Sequence, residues 1–121
     1  MRIMLVDDSQ TMRNVQKKIL AGLGHTDIVE ASDGQDALSK VGAANPELIL
    51  LDWNMPNLDG MGFLKAFRQK NKATPVVMVT TEAEKARVVE AIKAGVNNYL
   101  VKPFTPDDLK SKIEVTLARA A

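Results

Sequence analysis

The sequence predicts an α/β fold in which a parallel sheet of five strands is covered by helices on both faces. Five short apolar runs alternate with five longer segments of helical character, the pattern typical of repeated βαβ units. The run at residues 48–51 is apolar at all four positions, which indicates a strand buried on both faces. The predicted strands are residues 3–6, 28–31, 48–51, 76–79 and 99–101.

The first two helices are bounded by capping and turn residues. Ser9 favours the start of a helix over residues 10–23. A turn at residues 33–34 leads into a second helix that ends near Gly42. The Asn-Pro pair at residues 45–46 then breaks the chain before the third strand.

The last three helices are predicted over residues 60–70, residues 83–94 and a segment that begins after Thr105. Thr105 can cap the fifth helix, with Pro106 at its first position and Asp108 three residues after the cap. Because parallel strands need crossover connections, we expect these crossovers to be right-handed.

Composition restricts the class of protein. A chain of 121 residues suits one domain with one core, and we take residues 1–121 as that domain. The net charge of +1 argues against nucleic acid or an anionic membrane as the partner. The absence of cysteine excludes disulfides and thiolate metal sites. With no signal peptide and no membrane-length apolar stretch, we expect a cytoplasmic monomer.

Polar side chains follow the predicted strands where each strand ends. Asp7 and Asp8 follow the first strand, and Asp52 follows the third. Thr80 ends the fourth strand and Lys102 follows the fifth. Ligands of open α/β sheets bind beyond the carboxyl ends of the strands, so we expect these five side chains to share one site.

Three neighbouring carboxylates need compensating positive charge. At about 4 Å and an effective dielectric of about 20, each pair repels by roughly 4 kcal/mol. Lys102 supplies one positive charge, and a divalent cation would supply the rest. Oxygen ligands without histidine or cysteine favour magnesium, manganese or calcium, and the small number of acids favours magnesium. A carboxylate in this setting, Asp52 above all, is a candidate phosphoryl acceptor.

Four motifs together resemble the response regulator receiver domain. They are VDDS at residues 6–9, LLDWNMP at 50–56, TTE at 80–82 and VKPF at 101–104. The resemblance covers essentially the whole chain and is strongest to the single-domain chemotaxis members of the family. It implies the flavodoxin-like, doubly wound sheet of that family, with strand order 2-1-3-4-5.

The resemblance also implies a role for each motif residue. Asp52 would be the phosphoacceptor and a Mg²⁺ ligand. Asp8 would ligate Mg²⁺ directly, and Asp7 mainly through water. By the same resemblance, the backbone carbonyl of Asn54 would be a further Mg²⁺ ligand, and Lys102 would be the cation that faces the phosphoryl group. Thr80 and Tyr99 would form the switch, and Asn54 and Glu82 would tune dephosphorylation. The peptide between Lys102 and Pro103 would be cis.

A stand-alone receiver is the function that this resemblance favours. It would take phosphoryl from a chemotaxis histidine kinase, dock on the flagellar motor switch, and be reset with or without a phosphatase. Such a protein catalyses only its own phosphorylation and dephosphorylation. The chain ends shortly after the fifth helix, so we expect its own surface to be the output. The predicted docking residues are Val88, Ile92, Tyr99 and Lys112.

Two other functions are alternatives to this one. A phosphorelay carrier would pass phosphoryl from Asp52 to a histidine phosphotransferase, and only its partners would distinguish it. A magnesium-dependent phosphohydrolase usually has a second aspartate two residues after the nucleophile, where this chain has Asn54. For Trp53, the sequence is compatible both with a position in the core and with a position in the wall of the pocket beside Asp52. The cations expected to be mostly solvated are Lys85, Arg87, Lys93, Lys110 and Lys112.

Overall fold

The structure, a computed structural model, describes residues 1–120. Five strands alternate with five helices along these residues. The strands are β1 (Arg2–Val6), β2 (Asp27–Ala31), β3 (Leu48–Leu51), β4 (Val76–Thr80) and β5 (Asn98–Val101). The helices are α1 (Gln10–Gly22), α2 (Gly34–Ala44), α3 (Gly60–Lys70), α4 (Lys85–Ala94) and α5 (Pro106–Ala120). None of these helices is long and apolar enough to cross a membrane.

All neighbouring strands are parallel, in the order β2-β1-β3-β4-β5. The predicted doubly wound, flavodoxin-like fold is therefore confirmed. The register pairs Val6 with Leu51 and Thr80 with Val101. The residues that follow these strands consequently meet at one edge of the sheet.

Alternate residues of the strands enter two separate cores, one on each face of the sheet. Met4 and Val6 point to the face covered by α2, α3 and α4, where Phe63 is fully buried. Ile3 and Leu5 point to the face covered by α1 and α5. Because side chains alternate along a strand, a sheet covered on both faces needs apolar residues at consecutive positions, as β3 has.

The helix starts follow the cap residues in the sequence. The Ser9 side chain accepts a hydrogen bond from the Met12 N–H at 3.1 Å. At the start of α5, Thr105 and Asp108 exchange the reciprocal bonds of a capping box, at 3.0 and 3.1 Å. The Asp33 and Asp59 side chains cap α2 and α3 by accepting hydrogen bonds from the Asp36 and Gly62 N–H groups.

Some element boundaries differ from the prediction. Helix α4 begins at Lys85, two residues later than predicted, and its N-cap residue Glu84 makes no side-chain capping bond. Helix α2 continues past the predicted end to Ala44, because Asn45 takes the left-handed conformation that ends the helix. Helix α1 ends one residue before the predicted position. Strand β4 includes Thr80.

Candidate functional site

Three carboxylates meet at the carboxyl edge of the sheet. Oxygen atoms of Asp7, Asp8 and Asp52 all lie within 4.8 Å of one another. Asp7 and Asp52 are buried, whereas Asp8 is exposed. The adjacency of β1 and β3 creates the cluster, since the Asp52 N–H donates to the Val6 carbonyl at 2.9 Å. The structure thus brings together the acidic residues that the sequence placed at one edge.

Lys102 supplies the positive charge of this cluster. Its Nζ lies 2.7 Å from Asp7 Oδ2 and 3.4 Å from Asp52 Oδ2. The Lys102 N–H donates to the Thr80 carbonyl at 2.8 Å, which fixes the residue beside β4. The Lys102–Pro103 peptide is cis, as the resemblance implied. One ammonium faces three carboxylates, so the cluster retains negative charge.

The environment of Asp52 disfavours its ionised form. Burial is the main cause that raises the pKa of Asp52, and the neighbouring Asp7 carboxylate raises it further. The Lys102 charge and hydrogen bonds from Thr80 and Trp53 oppose this rise without cancelling it. The Trp53 N–H donates to Asp52 Oδ1 at 2.8 Å, and Asp52 Oδ2 is the oxygen near Lys102.

The loop after Asp52 depends on a glycine. The Gly60 N–H donates to the Trp53 carbonyl at 2.8 Å. A Cβ at Gly60 would lie 2.1 Å from the Asp52 carbonyl oxygen, closer than any side chain can approach. Asn57 joins the same loop to α2, because its amide donates to Asp33 Oδ2 at 2.7 Å. The loop that holds Asp52 is thus tied down at both ends.

Asn54, Glu82 and Tyr99 form a connected rim near the cluster. The Asn54 amide donates to Glu82 Oε1 at 2.9 Å, and the Tyr99 hydroxyl donates to the Glu82 carbonyl at 2.6 Å. The Tyr99 ring points inward and is only 8% exposed. Burial is the main cause that raises the pKa of Tyr99, with the Glu82 charge adding to it. Thr80 is fully buried two residues before Glu82.

Arg87 is exposed, as expected, and its guanidinium also lies over the Trp53 ring, 5.2 Å from the centroid. The Trp53 side chain is buried and belongs to the core beneath α2, α3 and α4. It is thus a core residue that also contacts the first turn of α4. The two residues lie far apart in the sequence, so no local sequence pattern predicts their contact.

Arg13 supports the cluster from α1, a role that no pattern in the sequence indicates. Its buried guanidinium donates to the Asp7 carbonyl, to Gln10 Oε1 at 2.7 Å and to Glu30 Oε1 at 3.0 Å. Lys17 pairs with the other Glu30 oxygen at 3.0 Å. Burial alone would raise the pKa of Glu30, but these two cations outweigh it and hold the pKa below its ordinary value.

The predicted docking residues differ in exposure. Val88 is half-buried and packs against the core. Ile92, one turn later, is 56% exposed, and Val89 is 40% exposed. Lys112 is half-buried, with its Nζ 3.5 Å from Asn98 Oδ1. The large exposed apolar side chains of α4 are therefore Val89 and Ile92.

Comparison with known protein families gives a match over residues 3–114 to the model described as the response regulator receiver domain. Among curated proteins, the chain is 48% identical to chemotaxis protein CheY1 of Helicobacter pylori strain J99 over 120 residues, covering 97% of each chain. It is 46% identical to chemotaxis protein CheY of Pseudomonas aeruginosa strain PAO1 over 121 residues, covering 98% of each chain.

Solved structures with the same architecture include chemotaxis protein CheY4 of Vibrio cholerae, with a TM-score of 0.88 and 34% identity over 95% of this chain and 97% of that one. The receiver domain of Francisella response regulator 1452 has a TM-score of 0.90 and 31% identity over 99% of this chain and 98% of that one.

Proposed function

The chain belongs to the response regulator receiver domain family, and on that premise we propose that it accepts a phosphoryl group on Asp52 and signals by docking. Its relatives at 46–48% identity are chemotaxis proteins. We therefore infer a chemotaxis histidine kinase as the donor and the flagellar motor switch as the target. The observation that carries the proposal is the buried Asp52 carboxylate in its three-acid cluster, with Lys102 Nζ at 3.4 Å.

Asp52 acts as the nucleophile of this transfer. A carboxylate oxygen forms a bond to phosphorus while the P–N bond of the donor phosphohistidine breaks and the imidazole keeps the electron pair. The product is an acyl phosphate on Asp52. Lys102 faces the growing charge on the phosphoryl oxygens, and the Thr80 hydroxyl can donate a hydrogen bond to one of them.

The acidic cluster fits a hard divalent cation, because its side-chain donors are all carboxylate oxygens and the single Lys102 ammonium leaves part of their negative charge uncompensated. The residues that would hold Mg²⁺ are Asp7, Asp8, Asp52 and the backbone carbonyl of Asn54. When bound, Mg²⁺ would supply positive charge that stabilises the negative charge on the oxygens of the transferring phosphoryl group. Arg13 holds the Asp7 main chain from the opposite side, which keeps this carboxylate in place.

Asn54 and Glu82 tune the loss of the phosphoryl group in this proposal. Their hydrogen bond spans the rim between the loop after Asp52, here called the acceptor loop, and the end of β4. Water, or the side chain of a phosphatase, reaches Asp52 past these residues. Their size and charge therefore set how readily the acyl phosphate is hydrolysed.

The output is a rearrangement of α4, β5 and α5. Phosphoryl oxygens on Asp52 attract the Thr80 hydroxyl, and Tyr99 is joined to the same segment through the Glu82 carbonyl. The docking face would combine Val88, Ile92, Tyr99 and Lys112, with Lys112 as the cation for an acidic peptide of the motor switch. A small helix movement would expose more of Val88.

Labelling with radioactive acetyl phosphate tests the acceptor. We expect about one phosphoryl group per chain in the presence of Mg²⁺ and little in EDTA, because the site lacks enough positive charge by itself. Asp52→Asn should abolish labelling and Asp8→Ala should reduce it strongly. Asp107→Asn, an exposed carboxylate on α5, is the matched control and should label normally. Full labelling of Asp52→Asn would place the acceptor elsewhere.

Calorimetry with a motor-switch peptide tests the output. Beryllofluoride, an acyl-phosphate mimic, should tighten binding by about 1–3 kcal/mol, because a switch acts only through the difference in affinity between its two states. Ile92→Ala should weaken binding in both states, whereas Val15→Ala on α1 should not. Equal affinity with and without beryllofluoride, or an effect that survives combined Thr80→Ala and Tyr99→Ala, would exclude this face as the output.

A further inference from the structure

A groove of about 580 Å³, here called the α3–α4 groove, lies between the second half of α3 and the end of α4. The charged residues that line it are all cations: Lys65, Arg68, Lys72 and Lys93. None of these four forms an ion pair with a carboxylate of residues 1–120. The groove is therefore strongly positive in a chain whose net charge is only +1.

Arg68 is held in the wall of this groove by neutral acceptors. Its Nε and Nη2 donate to the Gly95 carbonyl at 3.1 and 2.9 Å, and its Nη1 donates to the Asn71 carbonyl at 3.2 Å. Gly95 has a φ of +113°, and a Cβ there would lie 3.0 Å from Arg68 Nε. The guanidinium is thus positioned in advance, and no carboxylate neutralises it.

The spacing of the cations suits several separate carboxylates better than one phosphate. Lys65 and Arg68 lie one turn apart on α3, and Lys72 follows the end of that helix. Seven residues of helix cover about 10 Å, so these cations form a row rather than a single nest. Phosphate sites commonly use the N–H groups of a helix N-terminus, whereas the groove is bordered by the C-terminal ends of two helices.

The groove lies at the opposite edge of the sheet from Asp52. Gly95 and Asn97 directly precede β5, and Lys72 leads into β4. Asp52 and Lys102 instead follow the carboxyl ends of their strands. We propose that the α3–α4 groove docks an acidic segment of a partner protein, and that it does so equally in both states of Asp52, because Arg68 ties the C-terminal end of α4 to α3 through the Gly95 carbonyl while the rearrangement of α4 takes place in its first turns. Such a contact would keep a partner near the chain while the phosphoryl group comes and goes.

Fluorescence anisotropy with a labelled peptide of eight glutamates tests this proposal. Lys65→Gln, Lys72→Gln and Lys93→Gln together should weaken binding at least tenfold. The matched control combines Lys18→Gln, Lys110→Gln and Arg119→Gln, which removes the same charge from exposed helix positions elsewhere and should leave the affinity within about twofold. Added salt should weaken binding to the wild type, because exposed charges are screened. Thermal unfolding establishes that both triple variants are folded.

Three results would overturn the proposal. The first is equal weakening in the two triple variants, which would show attraction to net charge alone. The second is a change of more than about threefold on adding beryllofluoride, which would link the groove to Asp52. The third is displacement of the peptide by tripolyphosphate at lower concentration than by free octaglutamate, which would make the ligand a phosphate compound. A peptide of eight glutamines should not bind.

Discussion

At the scale of single residues, the ionised Asp52 side chain destabilises the folded state. Burial and the neighbouring Asp7 charge both raise the pKa of Asp52, which means that its ionised form is less favourable in the folded chain than in the unfolded chain. The folded state therefore loses stability as pH rises from the ordinary aspartate pKa through the raised one. The phosphoryl transfer proposed for Asp52 accounts for a charge at this position.

We predict that Asp52→Asn stabilises the protein at neutral pH in EDTA, by about 1–2 kcal/mol, because an incompletely compensated buried charge is removed. Urea unfolding followed by circular dichroism measures the change. The gain should vanish below about pH 4, where the unfolded chain also carries a protonated aspartate. Asp107→Asn is the control. A destabilised Asp52→Asn in EDTA would show that the bond to Lys102 outweighs the repulsion.

At the scale of elements, α4 has the weakest start of the helices. Ser9, Asp33 and Asp59 cap α1, α2 and α3 through their side chains, whereas Glu84 makes no such bond. The contact of Arg87 with the Trp53 ring is what ties the first turn of α4 to the acceptor loop. The proposed output requires α4 to shift, and a weakly fixed N-terminus suits such a movement.

We predict that Glu84→Ser stabilises the protein by about 0.5–1 kcal/mol, since a serine hydroxyl can accept from an unpaired N–H of the first turn. Ser9→Ala, which deletes an existing cap, should destabilise the protein by about 1 kcal/mol. This loss measures how much one side-chain cap contributes to the stability of this fold. Thermal unfolding compares the two. Hydrogen exchange of the α4 amides should slow in Glu84→Ser, and unchanged exchange would mean that the start of α4 is already fixed.

At the scale of the whole molecule, stability against acid depends on carboxylates with lowered pKa. Glu30 and Asp36 both have lowered pKa values: burial opposes the effect, but hydrogen bonds and lysine charges prevail. Asp33, bonded to the Asp36 N–H and the Asn57 amide, has a lowered pKa as well. Each contributes stability that is present above its unfolded pKa and is lost as pH falls through its folded value.

We therefore predict that stability declines from about pH 5 towards pH 3 and that Glu30→Gln makes this decline shallower. At pH 7 the variant should be less stable by about 0.5–1 kcal/mol, a modest loss because solvent screens the partly exposed ion pairs. Below about pH 3 the variant and the wild type should converge. Parallel curves at all pH values would show that the ion pairs of Glu30 with Arg13 and Lys17 do not contribute.

Much of the fold and of the acidic site follows from the sequence by itself. Apolar runs, cap residues and turn residues act over a few positions, so they predict the strands and most helix starts. Because the carboxyl ends of parallel strands share one edge, the strand-end positions of Asp7, Asp52 and Lys102 were enough to predict that they meet. The family resemblance supplied the strand order and the assigned roles.

Only the tertiary structure decided the contacts between residues far apart in the chain. The contacts of Arg13 with Glu30, of Arg87 with Trp53 and of Arg68 with Gly95 follow no local pattern. Each depends on how two elements pack, because a long cationic side chain can reach solvent, a carbonyl or an aromatic ring with little change in its own helix. The sequence therefore determined where the acidic cluster lies, and packing decided which cations support it and which line a separate groove.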